Sequence, residues 1–257
     1  MMRMAVVGMA AGIAVVACSS VPRANVPTAT APLATPPPPS ATPASTVTSA
    51  PVATITAAAV RYVAIGASDT VGVGAADPLT GSWPARIALL LPPGSTYTNV
   101  GVSGSLASAA RLQQLPRAVA ARPTVVTIWL AVNDLNGGVD VAAYESALGG
   151  IVDALVAGSE ARVFVGTVPD LRTVPVYAQV DPAVLLARIE AYNQAIARTA
   201  AKAPERVRVI DLFTGSADLI TTAVVAADGF HPTDAGYQLI ADRFSAQMRA
   251  RGVPLRG

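Results

Sequence analysis

Short apolar segments alternate with amphipathic ones through residues 60–257, and this alternation constrains the fold more than any other feature of the sequence. The predicted strands are residues 61–65, 96–100, 124–130, 161–167 and 206–211. The third strand is almost entirely apolar, which is typical of a central parallel strand buried on both faces. Strands and helices in alternation predict an α/β domain whose parallel sheet is covered by helices on both faces.

The segments between the strands carry signals for the starts and ends of helices. The predicted N-caps are Ser82, Asp140, Asp181 and Thr233. Helices are predicted over residues 83–91 and 105–114, and the last three helices each have apolar residues at helical spacing. About 200 residues of this apolar content can bury ~70% of their unfolded surface. We therefore expect one folded domain, residues 59–257.

The N-terminus has the layout of a bacterial export signal. Met1 to Ala17 combines a basic residue, Arg3, with an apolar run that is shorter than the ~20 residues needed to span a bilayer. Its end, Val15-Val16-Ala17-Cys18, resembles a lipobox, in which the cysteine becomes the lipidated first residue. We predict a lipoprotein signal peptide (1–17) and an exported protein anchored to the cell envelope through Cys18. The alternative is an ordinary signal peptide with a chance cysteine.

Residues 18–58 are rich in proline, threonine and alanine and have no charge between Arg23 and the first strand. No helical or strand period is present, so this segment cannot bury a face. We predict a disordered tether that holds the domain away from the membrane, semi-rigid where prolines favour extended structure.

Composition excludes several classes of function. The net charge is +2 and no element carries a basic cluster, so we expect no nucleic-acid partner. One cysteine and one histidine cannot build a usual zinc site, and a single cysteine forms no intramolecular disulfide. We expect no metal, no cofactor and a monomer.

The only histidine lies in Asp228-Gly229-Phe230-His231-Pro232. Imidazole is the side chain whose ordinary pKa suits proton transfer near neutral pH. An aspartate three positions upstream can accept the Nδ1–H and leave Nε2 free, as the acid of a hydrolytic triad does. The alternative is a helix-entry loop in which the histidine only packs.

Three further polar positions follow predicted strands: Ser68, Gly104 and Asn133. Ligands of open parallel sheets bind outside the carboxyl ends of the strands, where these residues are expected to meet. Each has a structural explanation of its own, as an N-cap, a special backbone angle or a turn. Their coincidence with the histidine loop favours a shared site.

Four segments together resemble, in order and spacing, the sequence blocks of the SGNH hydrolases, the GDSL-like lipase/esterase family. They are Gly66-Ala67-Ser68-Asp69-Thr70, Asn99-Val100-Gly101-Val102-Ser103-Gly104, Val132-Asn133-Asp134 and the histidine pentapeptide. The resemblance covers about residues 60–250. It implies a three-layer, flavodoxin-like sheet of five parallel strands and a serine hydrolase without a cofactor.

By position in these blocks, Ser68 corresponds to the nucleophile, His231 to the base and Asp228 to the acid that orients it. The backbone N–H groups of Ser68 and Gly104 and the side-chain amide of Asn133 correspond to the oxyanion hole. Donors of this kind stabilise the negative oxygen of an acyl-transfer intermediate.

Two positions depart from the family pattern. Ala67 stands where the first block usually has an acid, and Ala131 stands where the third usually has glycine. Neither change removes a group of the predicted triad or oxyanion hole. We expect these two changes to alter how a substrate fits into the site and to leave the reaction itself unchanged.

We therefore expect a serine esterase that cleaves a carboxylic ester of a lipid, an acylated glycan or a small acyl compound through an acyl-enzyme. A cell-envelope acyltransferase uses the same chemistry, and an inactive surface lipoprotein that binds glycan or lipid is the third reading. The segment from Val168 to Asp181 is long and proline-containing, and we predict that it forms a substrate rim that includes Tyr177.

Overall fold

The computed structural model describes residues 58–257, and this part of the chain contains one sheet of five parallel strands. They are β1 (Arg61–Gly66), β2 (Thr96–Asn99), β3 (Val125–Trp129), β4 (Arg162–Gly166) and β5 (Val207–Ile210). Their order is β2-β1-β3-β4-β5, with every neighbouring pair parallel. This is the flavodoxin-like order, in which direction across the sheet reverses between β1 and β3. The predicted fold class is confirmed, and each strand end lies within one residue of the prediction.

The helices of the described residues are α1 (Ser68–Val71), α2 (Pro78–Gly81), α3 (Trp83–Leu89), α4 (Ala107–Gln113), α5 (Leu115–Ala120), α6 (Ala131–Asn136), α7 (Val141–Gly158), α8 (Pro182–Ala201) and α9 (Asp234–Ala250). Asp140, Asp181 and Thr233 accept backbone N–H bonds at the starts of α7, α8 and α9, as predicted. Ser82 is the N-cap residue of α3, but its side chain makes no capping bond.

The helix predicted over residues 105–114 differs from the observed one. Residue Leu106 is extended, and α4 begins at Ala107, whose N–H donates to the Asp134 carboxylate at 2.9 Å. An N-cap supplied from 27 residues away leaves no local signal, which explains why the start was placed too early. A second helix, α5, then begins at Leu115 with proline in its first turn, where the missing N–H costs no hydrogen bond.

Side chains of the strands alternate between two hydrophobic layers. In β1, Val63 and Ile65 face the layer formed with α4, α7 and α8, whereas Tyr62 and Ala64 face the layer formed with α3 and α9. The period of two follows from the pleat of the strand. Because both faces are covered, the sheet offers ligands only its ends and the loops there.

One helix of the described residues, α7, is long and apolar enough by composition to cross a membrane. Its residues Tyr144, Leu148, Ile151 and Leu155 are buried in the first of the two layers. These contacts are those of a core helix.

The predicted signal peptide, the lipidation site Cys18 and the predicted tether, except for its last residue, lie outside the described residues. They remain predictions.

Candidate functional site

The site is built at the carboxyl ends of β1 and β3, on either side of the point where strand order reverses. Ser68 lies two residues after the end of β1, as the first residue of α1, and is 4% exposed. Asn133 lies in α6, which follows β3. Gly104 lies in the loop after β2. The three residues therefore share one edge of the sheet, as predicted.

Gln114 fixes the backbone just before Ser68. Its Oε1 accepts a hydrogen bond from Gly66 N at 3.0 Å, and its Nε2 donates to Gly66 O at 2.9 Å. The same Nε2 donates to Ser105 Oγ at 3.0 Å, next to Gly104. Gln114 is fully buried, so these bonds are made away from water, where losing one leaves an unpaired polar group. Sequence analysis missed this residue.

Asn99 joins the loop after β2 to α1. Its Nδ2 donates to Thr70 O at 2.7 Å, and its Oδ1 accepts from Gly101 N at 2.9 Å. Gly104 itself has φ +75°, a left-handed conformation that favours glycine. A Cβ at Gly104 would meet no atom within 4 Å, so this backbone faces open space.

Asn133 and Asp134 connect the end of β3 to the same loop. Asn133 Nδ2 donates to Ser105 O at 3.2 Å, and this bond uses one of the two amide hydrogens. Asp134 caps α4 through Ala107, as described above. Burial raises the pKa of Asp134 to about 6, although its bond from Ala107 N opposes the shift.

Hydrogen-bond donors remain free where these segments meet. Within residues 58–257, the backbone N–H groups of Ser68 and Gly104 donate to no protein acceptor. The second hydrogen of the Asn133 amide is also unused by the described residues. The surrounding bonds therefore anchor the segments that carry these three groups, and their role as an oxyanion hole stays a prediction.

His231 and Asp228 form a directly bonded pair. His231 Nδ1 lies 2.5 Å from Asp228 Oδ2, and Asp228 Oδ1 accepts from the backbone N–H groups of Phe230 and His231. The turn requires Gly229 at φ +72°. His231 Nε2 has no hydrogen-bond partner among the described residues. Partial burial would raise the pKa of Asp228, but the hydrogen bonds from His231 and from the two N–H groups hold it below its ordinary value.

Contacts join the turn after Ser68 to the histidine loop, and no hydrogen bond links Ser68 to His231 within residues 58–257. A Cβ at Gly74, in the glycine-rich turn after α1, would lie 2.5 Å from Pro232 O and 3.1 Å from His231 Cβ. Tyr237, in α9, donates to Val73 O at 2.5 Å. The turn that follows Ser68 is therefore packed directly against the histidine loop.

Tyr177 lies in the segment that was predicted to form a substrate rim. Its side chain is 8% exposed, and its hydroxyl donates to Asn136 Oδ1 at 2.6 Å. Its ring packs edge-on against Phe230, with centroids 6.3 Å apart, and Phe230 in turn packs against His231 at 4.8 Å. Tyr177 therefore packs behind Phe230 and does not line the cavity beside it. Its part in a substrate rim stays a prediction. The exposed large apolar residues of the segment are Val176 and Val180.

A largely apolar cavity of about 110 Å³ opens beside the histidine loop. Its wall includes Trp129, Val132, Leu171 and Phe230, and its acidic residue is Asp69, which directly follows Ser68. Burial raises the pKa of Asp69 to about 6, opposed by the nearby His231. Sequence analysis gave Asp69 no role.

The described residues offer no cluster of three or more His, Cys, Asp or Glu side chains that could hold a metal ion. The polar groups of the site are the serine, the histidine–aspartate pair, Asp69 and the free donors.

A buried serine, an aspartate-bonded histidine and unoccupied donors at one end of a flavodoxin-like sheet define a serine hydrolase. Residues 64–239 match the GDSL-like Lipase/Acylhydrolase family. The chain belongs to this family and is a serine ester hydrolase. No match was found among curated proteins.

Solved structures share the fold. TesA aligns with a TM-score of 0.59 at 21% identity, over 74% of this chain and 99% of that one. A member of the lipolytic protein G-D-S-L family from Veillonella parvula DSM 2008 gives 0.58 at 19% identity, over 73% and 97%. An acetylxylan esterase from Geobacillus stearothermophilus gives 0.57 at 19% identity, over 75% and 94%.

Proposed function

We propose that the protein hydrolyses carboxylic esters through a covalent acyl-enzyme on Ser68, with His231 as general base and Asp228 as the residue that orients it. The observation that carries this proposal is the 2.5 Å bond between His231 Nδ1 and Asp228 Oδ2. It holds the imidazole with Nε2 as the nitrogen free to accept a proton, which is the arrangement that activates a serine.

In the acylation step, Ser68 Oγ forms a bond to the ester carbonyl carbon while its proton passes to His231 Nε2. The carbonyl oxygen becomes an oxyanion that accepts hydrogen bonds from Ser68 N, Gly104 N and the Asn133 amide. The tetrahedral intermediate then breaks its bond to the alcohol oxygen, which takes the proton from His231. Acyl-Ser68 and free alcohol are the products.

Deacylation repeats these steps with water. His231 removes a proton from water, the hydroxide oxygen bonds to the acyl carbon, and the Ser68 oxygen leaves and recovers the proton. A sugar or lipid hydroxyl in place of water would give acyl transfer, which is the second candidate activity.

Asp228 contributes by remaining ionised throughout. Its hydrogen bonds keep its pKa below the ordinary value, so a negative charge faces His231 when the imidazole becomes positive. A fixed charge stabilises the imidazolium of the transition state without rearrangement of solvent.

The substrates we propose are esters of lipids, acylated glycans or small acyl compounds. The apolar cavity beside Phe230 supports an acyl or other apolar group. The fold it shares with an acetylxylan esterase supports an acylated glycan.

We also propose that the protein is exported and anchored to the cell envelope by a lipid on Cys18, with a disordered tether over residues 18–58. The lipobox-like Val15-Val16-Ala17-Cys18 supports this. Labelling of the full chain with a palmitate analogue in a bacterial host tests it. Incorporation that is lost in Cys18→Ala is expected, and no incorporation would contradict the anchor.

The test of the activity is hydrolysis of p-nitrophenyl acetate, butyrate and octanoate by the full chain, by Ser68→Ala and by Ser146→Ala. Ser146 is an exposed serine on α7 and is the matched control. Turnover by the parent and the control with loss in Ser68→Ala supports the proposal, and the rates across chain lengths narrow the substrate class. Equal turnover by all three proteins would refute Ser68 as nucleophile.

A further inference from the structure

We propose that Asp69 is a specificity-determining residue, which accepts a hydrogen bond from a hydroxyl or ammonium group of the substrate close to the scissile carbonyl. The inference rests on the proposed function, since it assigns a substrate feature to the site of Ser68. It predicts preference for esters that carry such a donor over plain alkyl esters.

The position of Asp69 places its carboxyl among the groups that would surround a bound ester. It directly follows Ser68 and lines the apolar cavity together with Phe230. It also lines the smaller space at the strand ends, together with Ala67 and Asn133. Asn133, a proposed oxyanion donor, bounds the smaller space, and Phe230, the neighbour of the proposed base His231, bounds the cavity. A substrate held between the two would therefore contact Asp69.

The Asp69 carboxyl has no protein partner that satisfies it. No other residue within 58–257 donates a hydrogen bond to it, and no salt bridge includes it. The two tyrosine hydroxyls that interact with it electrostatically are used elsewhere: Tyr177 donates to Asn136 and Tyr237 donates to Val73. An acceptor in this position is therefore free for a ligand.

The titratable groups around Asp69 come from several elements. His231 and Asp228 face it from the histidine loop, and the two tyrosines face it from the 168–181 segment and α9. Arg243 lines the same cavity and forms no salt bridge with Asp69. His231 is bonded to Asp228 through Nδ1, and its Nε2 makes no hydrogen bond to Asp69 among the described residues.

An unpaired carboxyl discriminates between substrates by whether the bound substrate can donate a hydrogen bond to it. An alkyl ester would displace water from Asp69 and give it no hydrogen bond, which is unfavourable for a polar group. A hydroxyl or ammonium group would replace the lost water bond. Sites that hydrogen-bond a substrate group reject the analogue that lacks it more strongly than apolar pockets reject a missing methylene.

Isosteric ester pairs test this preference, with rates measured by pH-stat at pH 7. Methyl lactate and methyl alaninate each differ from methyl isobutyrate by replacing one methyl with a hydroxyl or an ammonium group on the acyl side. 2-Hydroxyethyl acetate differs from propyl acetate in the same way on the alcohol side. Comparison of the three donor esters therefore shows whether the preferred donor is a hydroxyl or an ammonium group. It also shows whether that donor lies on the acyl or the alcohol side of the ester.

The full chain is compared with Asp69→Leu, Asp69→Asn and, as a control, Asp153→Asn, which removes an exposed acid on α7. We expect the parent and the control to prefer at least one donor ester over its isostere by about 10-fold or more in kcat/KM. Asp69→Leu should abolish that preference and raise the alkyl-ester rates, because the leucine removes the carboxyl that an alkyl ester leaves without a hydrogen bond, and Asp69→Asn should reduce the preference.

The outcomes separate this inference from the proposed function. A donor preference that persists in Asp69→Leu, or a parent without preference, would overturn the role of Asp69 while leaving Ser68 as nucleophile. Equal loss of donor and alkyl turnover in both Asp69 variants would overturn it as well, by placing Asp69 in the general machinery. Alkyl turnover that survives in Ser68→Ala would refute the proposed nucleophile, whatever the ester ratios show.

Discussion

Gln114 binds both polar groups of the Gly66 backbone, accepting from its N–H at 3.0 Å and donating to its carbonyl at 2.9 Å. The bonds cross 48 positions of sequence and fix the last residue of β1, two residues before Ser68. A Cβ at Gly66 would lie 1.9 Å from Thr70 Oγ1, so only glycine allows the chain to turn into α1 here. The buried amide of Gln114 thus fixes the backbone just before Ser68, the proposed nucleophile.

We predict that Gln114→Leu destabilises the domain and lowers kcat more than it raises KM. The leucine leaves Gly66 N without a partner and removes one bond each from Gly66 O and Ser105 Oγ, which keep their bonds to Val102 N and Leu106 O. We expect a cost of about 1–3 kcal/mol in the free energy of unfolding. Urea denaturation and steady-state kinetics measure both effects. Gln113→Leu, on the exposed neighbour, should change stability by no more than about 0.5 kcal/mol. Equal effects of the two substitutions would contradict the role of Gln114.

Asp228→Asn should lower kcat by about 10²- to 10⁴-fold, because an amide neither fixes the reactive tautomer of His231 nor stabilises its positive form. KM should change little, since Asp228 does not contact the proposed substrate. Asp218→Asn, an exposed acid in the same connecting segment, is the control and should retain parental kcat. Retention of activity in Asp228→Asn would show that the His231–Asp228 bond is only structural.

Asp69→Asn should change stability in a pH-dependent way. The pKa of Asp69 is raised to about 6, so the folded state favours its neutral form, and parental stability falls as pH rises from about 4 through about 6. The amide of the Asp69→Asn variant does not ionise, so the variant does not lose stability over this pH range. The variant should therefore be more stable than the parent by about 1–3 kcal/mol at pH 8, with the difference lost near pH 4. Urea titrations at both pH values test it, and an equal difference at the two would contradict the account.

Gly74→Ala should impair catalysis by displacing the histidine loop. The added methyl would lie 2.5 Å from Pro232 O, a backbone atom that has to move. Gly94→Ala is the matched control: its φ of +79° is similarly left-handed, but its nearest contact would be Ala59 Cβ at 3.8 Å. Both should lose stability, and only Gly74→Ala should also lose kcat, by about 10-fold or more. A comparable kcat loss in both would attribute it to backbone strain alone.

Sequence patterning predicts the layers of this fold well because the strands are buried on both faces and the long helices have one apolar face. The strand order follows from the family resemblance, since periodicity does not specify which strands are neighbours. Short helices such as α1 and α6 were missed because four to six residues carry too little periodic signal.

The proposed catalytic groups could be predicted because each belongs to a recognisable block. The residues that position or modulate them could not. Gln114 acts through a contact between distant segments, and Asp69 becomes notable only when the structure shows a carboxyl without a partner. Tyr177 was placed on a rim from the length and prolines of its segment, which do not determine the direction of a side chain.

The most direct test of the central claim is mass-spectrometric mapping of a fluorophosphonate adduct on the full chain. The account predicts a single adduct on the peptide that contains Ser68, unchanged in Ser146→Ala, absent in Ser68→Ala and formed far more slowly in Asp228→Asn. An adduct on another residue, or no adduct in a protein that hydrolyses p-nitrophenyl acetate, would contradict Ser68 as the nucleophile.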